Sequence, residues 1–189
     1  MRRRRSERGE RGAVLVETVF ILPVLVLLIS GIVEFGMTFR EASTITASTR
    51  AGARIASAMP RNPAFVQATA DAVSSAINDL PSDEPQQLWI YAANQYGFPG
   101  SSTSMPTTCS TKCVIYTWSQ AAKAFQSPSG SYPATGPSGQ NACPGSTDQV
   151  GVYVKGLHKE IFPLFGDRTL TGKTVMRLEP VPSTTTCSG

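Results

Sequence analysis

The chain has one histidine, His158, in 189 residues, and it lacks the short signatures on which common catalytic sites are built. No Gly-x-Ser-x-Gly elbow is present; Ser138 stands in Gly136-Pro137-Ser138-Gly139, a loop-like run. No glycine-rich phosphate loop leads into a lysine. Asp148 or Asp167 could in principle join His158 in a triad, but a lone histidine beside Lys159 and Glu160 reads as a surface residue. Cys109 and Cys113 are not separated by the two-residue gap usual in zinc sites, and only one imidazole could complete a ligand set. The residues give no positive case for an enzyme. No catalytic group, metal or cofactor is expected.

Net charge is missing from most of the chain. Arg2, Arg3, Arg4, Arg5, Arg8 and Arg11 stand against Glu7 and Glu10 in the first twelve residues, which therefore carry the whole formal +4. Of the 17 Lys/Arg and 13 Asp/Glu, eleven of each sign remain from Ala13 onward, so the body is formally neutral. A nucleic-acid partner needs a basic patch on the folded domain, and none is implied here. What the arginines do imply is orientation: they stay cytoplasmic, and everything beyond the following apolar run is exported.

That run has little charge of any kind. Residues 13–39 contain only Glu17 and Glu34, and about 20 apolar residues suffice to cross a bilayer as a helix. A carboxylate at the bilayer centre costs roughly 2.5–3.5 kcal/mol, so each glutamate is expected near an interface or in a functional role. Pro23 removes one backbone hydrogen bond and is expected to kink the helix. A secretory signal peptide shares this charge-then-apolar layout, but Glu34-Phe35-Gly36-Met37-Thr38 offers no small-x-small cleavage site. A retained anchor is therefore preferred. Four consecutive arginines contain a twin-arginine pair in any case, so that pair is a weak signal.

Beyond the span, residues 38–59 stay helical in pattern but are rich in Ala, Ser, Thr and Gly. Ser43, Ala47 and Ala51 repeat every four residues, as do Thr44, Ser48, Gly52 and Ala56. Such spacing lets two helices approach closely, either within the chain's own domain or against another subunit. A second helix is signalled by Asn62 as cap, Pro63 in the first turn, then Phe65, Val66, Ala70, Val73, Ile77 and Leu80, with Pro81 as stop. Residues 88–92, 113–118, 150–155 and 174–178 read as short strands. Leu157, Ile161, Leu164 and Phe165 suggest an amphipathic turn broken by Pro163. Residues 97–111 and 127–145 are rich in Gly, Ser and Pro and read as loops, the second as the most flexible region. The fold class is α+β: a basic leader over 1–12, a transmembrane helix over 13–39, and a small exported domain over 40–189 with a short antiparallel sheet.

Cys109, Cys113, Cys143 and Cys187 all fall on the exported side, an even number in an oxidising compartment. Two disulfides are expected, and three connectivities are open. Cys109–Cys113 with Cys143–Cys187 is preferred, because the first closes a short loop and the second tethers the long loop to the tail.

The junction between leader and span resembles the processing site of type IV pilin-like proteins. More specifically, Arg11-Gly12-Ala13-Val14-Leu15-Val16-Glu17, Phe20-Ile21-Leu22-Pro23 and Gly31-Ile32-Val33-Glu34-Phe35-Gly36 resemble the TadE/TadF-like family, minor pilins (pseudopilins) of the tight-adherence, or Flp, pilus system. Arg50-Ala51-Gly52-Ala53-Arg54 is similar to that family's Arg-x-Gly-Ala-Arg stretch, and Val175-Met176-Arg177-Leu178-Glu179-Pro180 to its last strand. The resemblance covers residues 11–58 closely and the Cys- and Pro-rich middle not at all. It implies a non-catalytic pilus component in the bacterial cytoplasmic membrane, cut by a prepilin peptidase between Gly12 and Ala13. Glu17 would then pair with the new amine of a neighbouring subunit or serve recognition. The implied partners are that peptidase, other pilins, the Tad assembly platform and the membrane. The alternative is an exported binding or adhesion domain whose helix is only an anchor.

Overall fold

The computed structural model describes residues 6–81, 83–109, 111–136 and 139–181, with backbone alone for 6–11. Arg2 to Arg5, Ser138 and Cys187 therefore lie outside the described residues. The chain divides into two compact units, Met1–Phe39 with Glu160–Gly166, and Arg40–Lys159 with Asp167–Gly189.

Helix α1, Ser6–Ala58, contains the boundary between the units and carries Pro23 inside it. In the first unit this helix has almost no apolar partner. Every large apolar side chain between residues 14 and 29 is more than half exposed. A helix satisfies its own backbone hydrogen bonds, so such a surface is at home in hydrocarbon and misplaced in water. Gly12–Ala58 is the one described helix long and apolar enough to cross a membrane, with a window of mean hydropathy 2.6. The exception to its bareness is the turn at Glu160–Gly166. There the Ile161 amide donates to the buried Glu34 carboxylate (3.1 Å), and Phe165 meets Phe35 edge-on with centroids 6.1 Å apart. Glu34 thus caps a turn, a role that the sequence pattern did not suggest.

The second unit is built on a five-stranded antiparallel sheet in the order β3-β2-β1-β4-β5. Its strands are β1 (Pro85–Ala93), β2 (Cys113–Ser119), β3 (Ala124–Ser131), β4 (Gln149–His158) and β5 (Arg168–Arg177). Leu88, Ile90, Val150, Val152 and Val154 form one buried face, as the period of two requires. That face is covered by α1 through Ile45, Ala53 and Ala56, and by helix α2 (Phe65–Ile77) through Phe65, Ala70, Val73 and Ile77. Trp89, Tyr91 and Cys113 point to the opposite face, under Met105 and Cys109. Cys109 and Cys113 are joined, with Cα atoms 5.9 Å apart, which fastens this cover to the start of β2.

Three sequence expectations are corrected here. Residues 127–131 form no loop but the end of β3, an edge strand paired to β2 through a register shift and containing Pro128. Its anchor is Phe125, buried, edge-on to Trp118, with its amide bonded to Ser74 Oγ (3.0 Å). Helix α2 begins at Phe65 rather than after Asn62, whose Oδ1 instead accepts the Ala64 amide in the preceding turn (2.9 Å). Strand β4 runs on to His158, so Leu157 belongs to the sheet and not to the turn that follows.

The two small-residue rows of α1 have different fates. Ser48, Gly52 and Ala56 are buried within the chain's own unit, and a Cβ on Gly52 would overlap Val73 Cγ2. Gly172 serves the same approach from the sheet side, where a Cβ would stand 2.9 Å from Ile45 Cγ2. Ser43 and Ala47 are not fully buried, and Ala51 is half-buried.

Candidate functional site

Gly12, Ala13 and Glu17 all lie on α1, which is helical on both sides of them. Ala13 and Glu17 are four residues apart and so share a helix face one turn apart. Both are exposed. A Cβ at Gly12 would meet nothing within 4 Å. Glycine costs a helix about 1 kcal/mol relative to alanine, and at Gly12 no packing among the described residues requires it. The glutamate is the single charged side chain between Gly12 and Glu34 on an otherwise apolar, exposed helix surface.

The second site was not foreseen. His158, read from its neighbours as a surface residue, is 1% exposed, and its Nδ1 lies 2.6 Å from Glu41 Oε2. Glu84 completes the cluster, with a carboxyl oxygen within 4.8 Å of a Glu41 carboxyl oxygen and of a His158 ring nitrogen. Glu41 and Glu84 are also buried, at 3% and 5% exposure. The three residues come from α1, from the connection before β1, and from the end of β4. Burial pushes the Glu84 carboxyl up to about 7; the Glu41 carboxylate adds to the effect and His158 opposes it. Asp83 and Lys159, next to two of the three in sequence, pair with each other at 2.5 Å on the exposed side.

The sequence did contain a signal for this cluster. His158 has the same strand parity as Val150, Val152 and Val154, all buried. Glu41 stands four residues before Ile45 and seven before Ser48, on the covered face of α1. Only the charged neighbours Lys159 and Glu160 argued otherwise.

One donor atom from each of the three residues can be chosen so that all lie within 4.8 Å of one another, a spacing at which a metal ion has to be considered. Two ligands of a tetrahedral ion at 2.0–2.2 Å stand about 3.4 Å apart. The 2.6 Å contact between His158 and Glu41 leaves no such room and is a proton-sharing contact. Of the expected disulfides, Cys109–Cys113 is in place. Cys187, named for Cys143, lies outside the described residues. Cys143 Sγ itself accepts from Arg61 Nη2 at 3.3 Å.

The fold defines a class: a bare apolar helix of membrane length carrying a small α+β unit with a five-stranded antiparallel sheet. Within it, residues 12–54 match the model of the TadE-like protein family, so the apolar helix, Glu17 and the Arg50–Arg54 stretch together form a TadE-like segment. No curated protein and no solved structure matches the chain significantly.

Proposed function

We propose that this chain is a non-catalytic minor pilin, or pseudopilin, that takes part in assembling a tight-adherence type IV pilus or a related secretion apparatus. The observation that carries the reading is the TadE-like match over residues 12–54, coinciding with an apolar helical stretch whose large side chains from residue 14 to 29 are all more than half exposed among the described residues. Such a helix suits first the bilayer and then a bundle of like helices. In this reading the arginine leader stays cytoplasmic and residues 40–189 are exported. A prepilin peptidase removes residues 1–12, leaving Ala13 as the amino terminus. The new amine and Glu17 then lie one helical turn apart, and each can pair with the opposite charge on a neighbour. Within hydrocarbon an unpaired charge is costly, so the pairing favours one axial register between subunits.

Deleting the gene and imaging the cell surface tests this. Pili are expected to be lost or sharply reduced, and to return when the intact gene is restored. Normal pili with unchanged adhesion refute the assembly role.

A further inference from the structure

We propose that the turn at Glu160–Gly166 is a second membrane contact of this chain, in which Ile161 and Leu164 enter the bilayer boundary on the exported side, beside the end of the spanning part of α1. The proposal rests on the reading of residues 13–39 as a transmembrane helix, and the partner is the lipid surface itself.

Ile161-Phe162-Pro163-Leu164-Phe165 is a run of five apolar residues, with Lys159 and Glu160 before it and Asp167 and Arg168 shortly after it. A turn that faces water is ordinarily polar, and a run of apolar residues left exposed marks an interaction surface. Here Leu164 is 66% and Ile161 49% exposed, and Pro163 between them is exposed as well. The backbone suits a medium poor in water. Pro163 has no N–H, and of the other five amides from Ile161 to Gly166 four are bonded within the same compact unit. The Ile161 amide donates to the Glu34 carboxylate (3.1 Å), Leu164 and Phe165 donate to the Phe162 carbonyl (2.6 and 3.3 Å), and Gly166 donates to the Glu160 carboxylate (2.6 Å). Amides without partners are heavily penalised at membrane depth, and this turn satisfies nearly all of its own.

Its level along α1 identifies what meets the tip. Phe165 lies against Gly31, where a Cβ would stand 3.7 Å from Phe165 Cζ, and it meets Phe35 edge-on. At about 1.5 Å per residue, roughly 30 Å of hydrocarbon is crossed in about 20 residues, so a crossing counted from Ala13 ends at about residue 33. That point falls between the two helix residues that Phe165 touches. A tilted helix gains less height per residue, so tilt carries the turn deeper. Placing Glu17 rather than Ala13 at the inner boundary does the same. The turn and this part of α1 belong to one compact unit, so the depth of the tip follows from the helix beside it. The helix is itself apolar and open at this level, with Ile32 72% and Phe35 54% exposed, and lipid that surrounds these side chains also meets the tip. The boundary between headgroups and acyl chains accepts an apolar face with charged flanks, as it does in an interfacial helix.

Tryptophan fluorescence of the full chain, reconstituted at high dilution in phosphatidylcholine vesicles, tests the contact. Leu164→Trp and Ile161→Trp are each read by difference against the parent chain, whose Trp89 and Trp118 lie in the other compact unit. Neither substitution replaces a core side chain. Leu25→Trp, in the middle of the apolar run, reports whether α1 is in the bilayer. The two tip reporters are expected to emit at shorter wavelength than in water. They are expected to be quenched more strongly by phosphatidylcholine brominated high on the acyl chain than by phosphatidylcholine brominated near its end, with the opposite order for Leu25→Trp. Tip reporters that emit as in water and are quenched by iodide, while Leu25→Trp is quenched by lipid, overturn the second contact and leave the anchor standing. Tip reporters reached by neither lipid nor iodide also overturn it, because protein then covers them. Absence of lipid quenching at Leu25→Trp overturns the transmembrane reading and this proposal with it.

Discussion

Tyr91 and Gly151 face each other across the β1–β4 ladder, and the phenol ring occupies the space that a side chain on residue 151 would need. The Tyr91 hydroxyl continues past the glycine to donate to the Gly97 carbonyl at 3.1 Å. A Cβ at position 151 would stand 2.7 Å from that hydroxyl oxygen and would overlap the ring itself. Tyr91 is fully buried and has no free direction in which to retreat.

Gly151→Ala is therefore expected to destabilise the second unit by about 1–3 kcal/mol, the usual range for overpacking. Urea unfolding of the detergent-solubilised chain, followed by near-ultraviolet circular dichroism of the aromatic side chains, measures it. An unchanged midpoint would show that the β1–β4 face can relax around an added methyl.

At Gly52 two effects oppose. Alanine gains about 1 kcal/mol of helix propensity, but its methyl would overlap Val73 Cγ2 and stand 3.4 Å from Val152 Cγ1. Val73 is wholly buried on α2, so the clash is expected to win, with a net loss of about 1–2 kcal/mol. Gly52→Leu is expected to prevent α1 from seating on α2 altogether. The same unfolding measurement decides, and a stabilised Gly52→Ala protein would mean that the helices part at little cost.

Gly12 presents the reverse case, a glycine with open space around it. Substitution there leaves packing intact, so an effect on maturation reports recognition rather than folding. Wild-type protein extracted from membranes is expected to have the intact mass of a chain starting at Ala13. Gly12→Leu is expected to keep its leader. A wild-type amino terminus at Met1, or one beyond Ala53, would remove the peptidase from the account.

Much of this architecture was legible from local pattern, and the failures have physical causes. Helix α2 and strands β1, β2 and β4 announced themselves through apolar periodicity between Pro and Gly breaks. β3 did not, because Gln126-Ser127-Pro128-Ser129-Gly130 has poor strand propensity. It is a strand because Phe125 is buried against Trp118, and the backbone that follows can pair with β2 at an edge. Its proline is tolerated at that edge for the same reason. The burial of His158 depends on where β4 ends and on what α1 places above it. Neither is visible in the composition of the three residues around it. Gly12, Ala13 and Glu17 were conspicuous because the pattern they make is one-dimensional: a glycine, a spacing and a charge in an apolar run.

Glu17 allows an electrostatic test. Glu17→Gln keeps shape and hydrogen-bonding capacity and removes the charge, and a neutral amide enters hydrocarbon more easily than a carboxylate. Insertion and cleavage are expected to be retained while co-purification with other pilins falls. Wild type and variant compared at matched membrane levels separate this from an anchoring role. Equal recovery of partners would make Glu17 an interfacial bystander.

The two outer strands of the sheet carry a consequence for how copies of this chain can meet. β3 is interrupted by Pro128 and a register shift, and β5 is punctuated by Arg168, Lys173 and Arg177. Proline, irregular pairing and fixed positive charge are the means by which sheet margins resist the docking of a foreign strand. Growth by continuing one sheet into the next molecule, the geometry of cross-β fibres, is thus obstructed at both margins. Any ordered polymer that includes this protein is therefore expected to be joined through surfaces other than these two margins.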